Sequence, residues 1–175
     1  LAQLDEQHWL LELFHGPTLS FKDFGARTMA RMMQYFLNKR NEKRIILVAT
    51  SGDTGSAVAD GFAGQDNIEV ILLYPKGKVS DVQERQLITK RPGVKALAVQ
   101  GNFDDCQRMV KEAFVDKDLQ HLPLSSANSI NIGRLLPQSL YYLWSVNQAF
   151  APLVKGGWGD FNFCVPSANL GNLTV

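Results

Sequence analysis

Long apolar runs and cysteine are both scarce in this sequence of 175 residues. No apolar stretch approaches the roughly 18 residues that suggest a membrane-spanning helix, so we expect no membrane partner. The two cysteines, Cys106 and Cys164, are too few for a disulfide framework or a cysteine-based metal site. We expect Cys106 on a helix and Cys164 on a buried strand to be inert thiols in a reducing compartment, the cytoplasm or an organelle matrix.

An excess of charge of either sign is also missing. The chain has 18 Lys and Arg against 17 Asp and Glu, a net charge of +1. This balance gives no reason to expect nucleic-acid binding. The histidines His8 and His121 have no partners at ligand spacing, so no metal site is predicted. A hydrophobic content of 45% with 20% charged residues instead indicates a globular protein with a substantial core.

The two ends of the sequence lack the features of a complete α/β domain. The first residues, LAQLDEQHWLLELF, have neither an initiator Met nor the basic region of a signal peptide. At the other end, Val175 follows a Gly-Asn turn that should open a helix. We therefore expect residues 1–175 to be a segment of a larger protein, with N-terminal and C-terminal parts missing.

Short apolar runs alternate with longer amphipathic runs along the chain, which predicts a parallel sheet with flanking helices in a three-layer αβα arrangement. The predicted strands are His8–Phe14, Arg44–Thr50, Ile68–Tyr74, Val94–Val99 and Phe161–Val165. The predicted helices are Phe21–Arg40 after a Ser20 cap, Ser56–Ala63, Ser80–Lys90, Phe103–Lys117 after an Asn102 cap, and Ile132–Phe150 with a kink at Pro137.

Unusual loops occur where several of these strands end. Parallel sheets bind ligands at the carboxyl ends of their strands, beside helix N-termini. The candidate loops are HGPTLSFKDFG (His15–Gly25), TSGDTGS (Thr50–Ser56), YPKGKVSDVQ (Tyr74–Gln83) and PSANLGN (Pro166–Asn172).

Lys22 is a candidate nucleophile in the first of these loops. It falls in the first turn of a helix, where the positive end of the helix dipole disfavours a cation. That field, with Phe21 and Phe24 alongside, would favour the neutral amine. The alternative is a surface lysine whose stem passes over the two aromatic rings.

Two loops are candidate anion sites. In TSGDTGS, the backbone amides and the hydroxyls of Ser51 and Thr54 could hold a carboxylate or phosphate at a helix start, with Asp53 facing a proton or cation. In PSANLGN, Gly171 permits the close backbone approach that a phosphate cradle needs. An ordinary structural turn is the alternative for both loops. Neither is a P-loop or a dinucleotide fingerprint, which disfavours a nicotinamide-binding enzyme.

Taken together and in this order, the four loops resemble the threonine synthase family of pyridoxal-phosphate enzymes. NSINIGR, which runs from Asn128 to Arg134, adds to the resemblance. The likeness covers nearly all 175 residues but only a middle portion of the family's length. It implies the fold type II architecture of the tryptophan-synthase β type, and it makes residues 1–175 the central cofactor-binding portion of a larger catalytic region.

The resemblance also implies roles for individual residues. Lys22 is the lysine that binds pyridoxal 5'-phosphate as a Schiff base and then acts as a general base and acid. Asp53 lies near the imine or the cofactor phenolate. The expected cofactor-phosphate cradle is Ala168, Asn169, Leu170, Gly171 and Asn172. The expected substrate-binding residues are Thr50, Ser51, Gly52, Thr54, Lys78, Ser80, Asn131 and Arg134, of which the last four are assigned to the substrate phosphate.

The cradle departs from the family pattern, because Ala168 and Leu170 replace a Gly and a Phe. The backbone amides remain, so binding is still expected. The family group that contacts the pyridine nitrogen falls after Val175.

The implied reaction is that of a cytoplasmic carbon–oxygen lyase. O-phosphohomoserine, a small phosphorylated amino acid, and water give L-threonine and phosphate by γ-elimination and then β-addition of water. One alternative is a phospho-lyase that shares the cofactor but releases a 2-oxo acid, ammonia and phosphate. The other is a non-catalytic ligand-binding module.

Overall fold

A four-stranded parallel sheet forms the centre of the protein. The structure is a computed structural model, and it describes residues 1–128, 131–150 and 162–166. The strands of the sheet lie in the order β5–β4–β3–β6. They are β3 (Arg44–Ala49), β4 (Ile68–Pro75), β5 (Val94–Val99) and β6 (Leu124–Ser125).

Helices cover both faces of this sheet, which confirms the predicted α/β class. They are α1 (Lys22–Arg40), α2 (Asp53–Phe62), α3 (Asp81–Ile88), α4 (Phe103–Val115), α5 (Ile132–Leu135) and α6 (Ser139–Phe150). Within the part that is described, no helix is both long and apolar enough to span a bilayer.

The side chains of β3 pack against helices on both faces of the sheet, which gives the three-layer αβα arrangement. Its residues point alternately to opposite faces of the sheet. Ile46 and Val48 join a core formed with α1 and α2, whereas Leu47 and Ala49 join a second core with α4. Because both faces are covered, the strand reads as one continuous apolar run, as buried parallel strands do.

Two predicted strands differ from the structure. Of His8–Phe14, only Trp9–Leu10 (β2) pairs, and it pairs antiparallel with Ala2–Gln3 (β1). The carboxylate of Asp5 accepts a hydrogen bond from the His8 amide, closing a tight hairpin that fixes this pairing.

The predicted strand Phe161–Val165 is wrong where it can be checked. Residues 162–166 carry no strand, and Cys164 is exposed rather than buried. Phe161 lies outside the described residues. Cys106 lies on a helix, α4, as predicted, and its burial there raises the pKa of its thiol.

Two helix starts differ from the sequence prediction. No side chain caps α1, because Phe21 occupies the capping position, although the Ser20 hydroxyl accepts a hydrogen bond from the Lys22 amide at 3.3 Å. The second helix, α2, begins at Asp53 rather than Ser56. The predicted caps Ser80 and Asn102 are confirmed, and Pro137 breaks the last helix into α5, a 3₁₀ turn and α6.

Candidate active site at the carboxyl edge of the sheet

The described candidate loops lie at one edge of the sheet. The register pairs Ala49 with Leu73, so β3 and β4 end side by side and their loops lead into the starts of α2 and α3. The start of α1 reaches the same edge, because Lys22 contacts Asp53. The structure therefore brings three of the predicted loops together, while Pro166 alone of the fourth loop is described.

The Lys22 amine is nearly buried at this edge. Only 10% of the side chain is exposed, and Nζ lies 3.4 Å from Oδ2 of Asp53. Nζ also lies 4.6 Å from the centroid of the Phe21 ring. A surface lysine would extend its amine into water, which the Lys22 amine does not do, and the catalytic role of Lys22 stays a prediction.

A buried carboxylate holds the loop that carries Lys22. Asp23, which is 3% exposed, accepts hydrogen bonds from the amide and the hydroxyl of Thr18. Leu19 adopts a left-handed conformation with φ of 58° to close this turn. Sequence reasoning did not single out Asp23, although an acidic residue directly after a candidate nucleophile was visible.

The start of α2 is organised by Thr50 instead of by a cap. Thr50 is buried, and its Oγ1 accepts hydrogen bonds from the amides of Gly52 at 3.0 Å and Gly55 at 2.8 Å. The amides of Asp53 and Thr54 stand at the first two helical positions, where a helix offers no acceptor. Such amides suit an anion, and the anion site in this loop stays a prediction.

Gln83 connects the starts of α2 and α3, and sequence reasoning missed it. Its Nε2 donates to Oδ1 of Asp53 at 2.8 Å, and its Oε1 accepts from the hydroxyl of Ser80 at 3.0 Å. Ser80 and Gln83 form a capping box. The spacing Ser-x-x-Gln is a sequence signal for that box, but it contains nothing about Asp53, which is 30 residues away.

Arg134 is buried beside Thr54. Its guanidinium donates to the carbonyl of Ala127 at 2.8 Å and to the Thr54 hydroxyl at 3.4 Å, while Nε has no partner among the described residues. Burial lowers the pKa of Arg134 to about 10. Gly25 of α1 packs so closely here that a Cβ would lie 2.2 Å from the Arg134 carbonyl oxygen.

Among the described residues, no contact is found between Lys22 and the predicted phosphate ligands Asn131 and Lys78. Asn131 caps α5, accepting from the Gly133 amide and donating to the Ser126 carbonyl, and it lines an apolar groove of about 330 Å³ along α1. Lys78 is exposed and lies towards Asp105, whose pKa is lowered chiefly by hydrogen bonds from Asn102 and Arg108, with a smaller contribution from the Lys78 charge.

The remaining predicted residues complete the placement. Ser51 and Ser80 are exposed at the site, and Gly52 is buried with φ of 145°. The predicted cradle lies outside the described residues: Ala168, Asn169, Leu170, Gly171 and Asn172.

Comparison with known proteins decides the family. Residues 2–148 match the family described as "Pyridoxal-phosphate dependent enzyme". The chain belongs to this family. The cofactor of such enzymes is pyridoxal phosphate, which confirms the cofactor that the sequence predicted.

Several threonine synthases are similar to this member of the pyridoxal-phosphate family. Identity is 54% over 165 residues to the enzyme of Buchnera aphidicola from Acyrthosiphon pisum, covering 94% of this chain and 37% of that protein. It is 46% to the Escherichia coli enzyme, covering 100% of this chain and 40% of that one. The resemblance to threonine synthase is thus confirmed, and the chain spans about two fifths of these relatives' length.

Solved structures agree with the sequence comparison. A structure of pyridoxal-phosphate-bound threonine synthase from Brucella melitensis superposes with a TM-score of 0.84 at 44% identity, covering 99% of this chain and 37% of that one. The Escherichia coli threonine synthase gives a TM-score of 0.72 at 50% identity over 81% of this chain and 33% of that one.

The described residues fit the cofactor of the family. An aldehyde needs a sheltered amine, and Lys22 supplies one with a carboxylate 3.4 Å away. An anionic group needs unpaired donors, and the first amides of α2 supply these, with the unpartnered Nε of Arg134 nearby.

Proposed function

We propose that the protein containing this chain is a cytoplasmic threonine synthase, which converts O-phosphohomoserine and water into L-threonine and phosphate. Residues 1–175 are the central cofactor-binding portion of its catalytic region. The observation that carries the proposal is the nearly buried Lys22 amine beside Asp53 at the carboxyl edge of the sheet. The similarity to threonine synthases narrows the chemistry from the family to this reaction.

Lys22 holds the cofactor through its amine and later moves protons at the substrate carbons. Pyridoxal phosphate, when bound, supplies an electron sink that stabilises negative charge on those carbons. The Lys22 amine suits proton transfer because it is shielded from bulk water and has the Asp53 carboxylate to stabilise its protonated form.

The remaining loops bind anions in this proposal. The amides of residues 168–172 hold the cofactor phosphate. Thr50 sets the shape of the loop at Ser51, Gly52 and Thr54, which binds polar groups of the substrate. The substrate phosphate is assigned to Lys78, Ser80, Asn131 and Arg134.

Of these phosphate ligands, Arg134 fits best, because its buried guanidinium has no carboxylate partner within the described ranges. An unpaired buried cation is costly, and an anion offsets that cost.

Product analysis on the full natural chain tests the reaction. The protein is incubated with pyridoxal phosphate and O-phosphohomoserine, and amino acids, phosphate and 2-oxobutyrate are measured. We expect L-threonine and phosphate in equal amounts. Formation of 2-oxobutyrate and ammonia instead would establish the phospho-lyase, and no turnover and no cofactor binding would establish a non-catalytic module.

Replacement of Lys22 tests the central assignment. Lys22→Ala removes the amine that binds the cofactor, so we expect the rate to fall by at least about 100-fold. Borohydride reduction followed by peptide mass analysis should find the cofactor on Lys22 in the parent protein and nowhere in the variant. A labelled lysine elsewhere would contradict the assignment. Lys39→Ala, at the far end of α1, is the matched control and should keep both activity and label.

A further inference from the structure

The carboxylate that faces Lys22 is not held by its own helix. Asp53 is half-exposed, at 50%, and stands at the first position of α2, and the described residues show no bond to its side chain from within α2. The bond that restrains it comes from α3, through Nε2 of Gln83 at 2.8 Å. Because Gln83 takes Oδ1, the other oxygen, Oδ2, is left to face the Lys22 amine.

Gln83 is itself fixed in the orientation that allows this. Its Oε1 accepts from both the amide and the hydroxyl of Ser80, at 3.3 and 3.0 Å. With the oxygen bound on that side, the amino group must point towards Asp53. Gly52 also leaves space for the side-chain carboxamide of Gln83, because a Cβ at position 52 would lie 2.4 Å from Nε2 of Gln83.

We propose that Gln83 is a positioning residue for the reaction, acting through Asp53 on Lys22. This inference rests on the proposed function of Lys22 and adds a residue to it. Because Gln83 is held by the capping box of α3 and also bonds to Asp53, it fixes the position of the carboxylate at the start of α2. It thereby keeps a carboxylate beside the reactive amine in every turnover.

The other charged groups around Lys22 do not replace Asp53. On α1 itself, the carboxylate of Asp23 is engaged by Thr18. From α5, Arg134 directs its guanidinium to Ala127 and Thr54. Within the described ranges, the amine therefore has one ionic partner, Asp53.

The test measures Lys22 directly in the full natural chain after removal of the cofactor. The rate of acylation of Lys22 by acetic anhydride is followed against pH by peptide mass analysis. An adjacent carboxylate favours the charged amine, so its loss should make Lys22 react at lower pH. We expect Asp53→Asn and Gln83→Met each to lower the pH midpoint by about 0.5 or more. The double variant should show no further change.

Two controls keep the test decisive. Gln86→Met makes the same change one turn further along α3, where the described residues show no side-chain bond to Asp53 or Ser80, and should leave the midpoint unchanged. Ser80→Ala removes one bond to the Gln83 oxygen and should lower the midpoint by a smaller amount, which provides a reading if Gln83→Met fails to fold. A Gln83→Met midpoint equal to that of the parent protein, or additive effects in the double variant, would overturn the proposal. Absence of threonine formation would leave this result intact, so the two failures are distinguishable.

Discussion

Four of the helices at the carboxyl edge form two pairs that begin in different ways. Both α3 and α4 start with complete capping boxes, Ser80 with Gln83 and Asn102 with Asp105. Neither α1 nor α2 has a side-chain cap, and these two helices carry Lys22 and Asp53. A cap satisfies the first amides of a helix and contributes about 1 kcal/mol to stability. The pair without caps carries these two candidate site residues, and α3 of the capped pair supports it through the hydrogen bond from Gln83 to Asp53.

Thr50 should show the largest stability effect, because it replaces the missing cap of α2 from the end of a strand. Thr50→Val keeps the shape but leaves the buried amides of Gly52 and Gly55 without an acceptor, at an expected cost of about 2–4 kcal/mol. Urea unfolding of the full natural chain measures it. Thr89→Val, at the exposed end of α3, is the matched control and should cost well under half as much. Equal costs would show that Thr50 is not a substitute cap.

Gly52 should show an intermediate effect that includes the site. Gly52→Ala forces alanine to a φ of 145° and pushes a methyl group into the Gln83 carboxamide. We expect a loss of about 1–3 kcal/mol in unfolding free energy, together with the lower acylation midpoint of Lys22 that Gln83→Met produces.

Gly64→Ala separates these two contributions. Its φ is also positive, at 70°, but a Cβ there meets nothing within 4 Å. It should therefore cost stability and leave the Lys22 midpoint unchanged. A change in that midpoint would mean that strain alone, rather than contact with Gln83, disturbs the site.

Asp105 should show the smallest effect, confined to acid conditions and to the capped pair. Its pKa lies below the ordinary value, chiefly because the Asn102 amide donates to it and also because of Arg108. The stabilisation is therefore complete above the ordinary pKa and is lost as the pH falls through the lowered one. Asp105→Asn should lower Tm at about pH 6 and have little effect at about pH 2. The matched control Asp104→Asn should lower Tm less at the higher pH, and a pH-independent difference would contradict the interpretation.

The same division explains what the sequence could predict. Ser80 and Asn102 are local caps within the helices that they start, so spacing alone identified them. The start of α2 was missed because its acceptor is not a local cap. The amide of Gly55 donates instead to the hydroxyl of Thr50, the residue that follows β3. The two-residue strand β6 was missed because so short an element has no periodicity.

The residues of the candidate site could be named from the sequence, but their connections could not. Loop chemistry and the family resemblance singled out Lys22, Asp53 and Thr54, whose roles stay predictions. The bonds from Gln83 to Asp53 and from Arg134 to Thr54 span 30 and 80 residues. Such bonds depend on how β3, β4 and α5 pack, which a local pattern does not encode.

The contact between Gly25 and the Arg134 carbonyl limits how this protein can be redesigned. Here two segments of the main chain are in contact with no side chain between them. Position 25 therefore has room for a hydrogen atom but not for a side chain. A mutant library designed to accept bulkier amino acids should therefore leave position 25 unchanged. The exposed Ser51, in the loop at the start of α2, offers the freedom that Gly25 lacks.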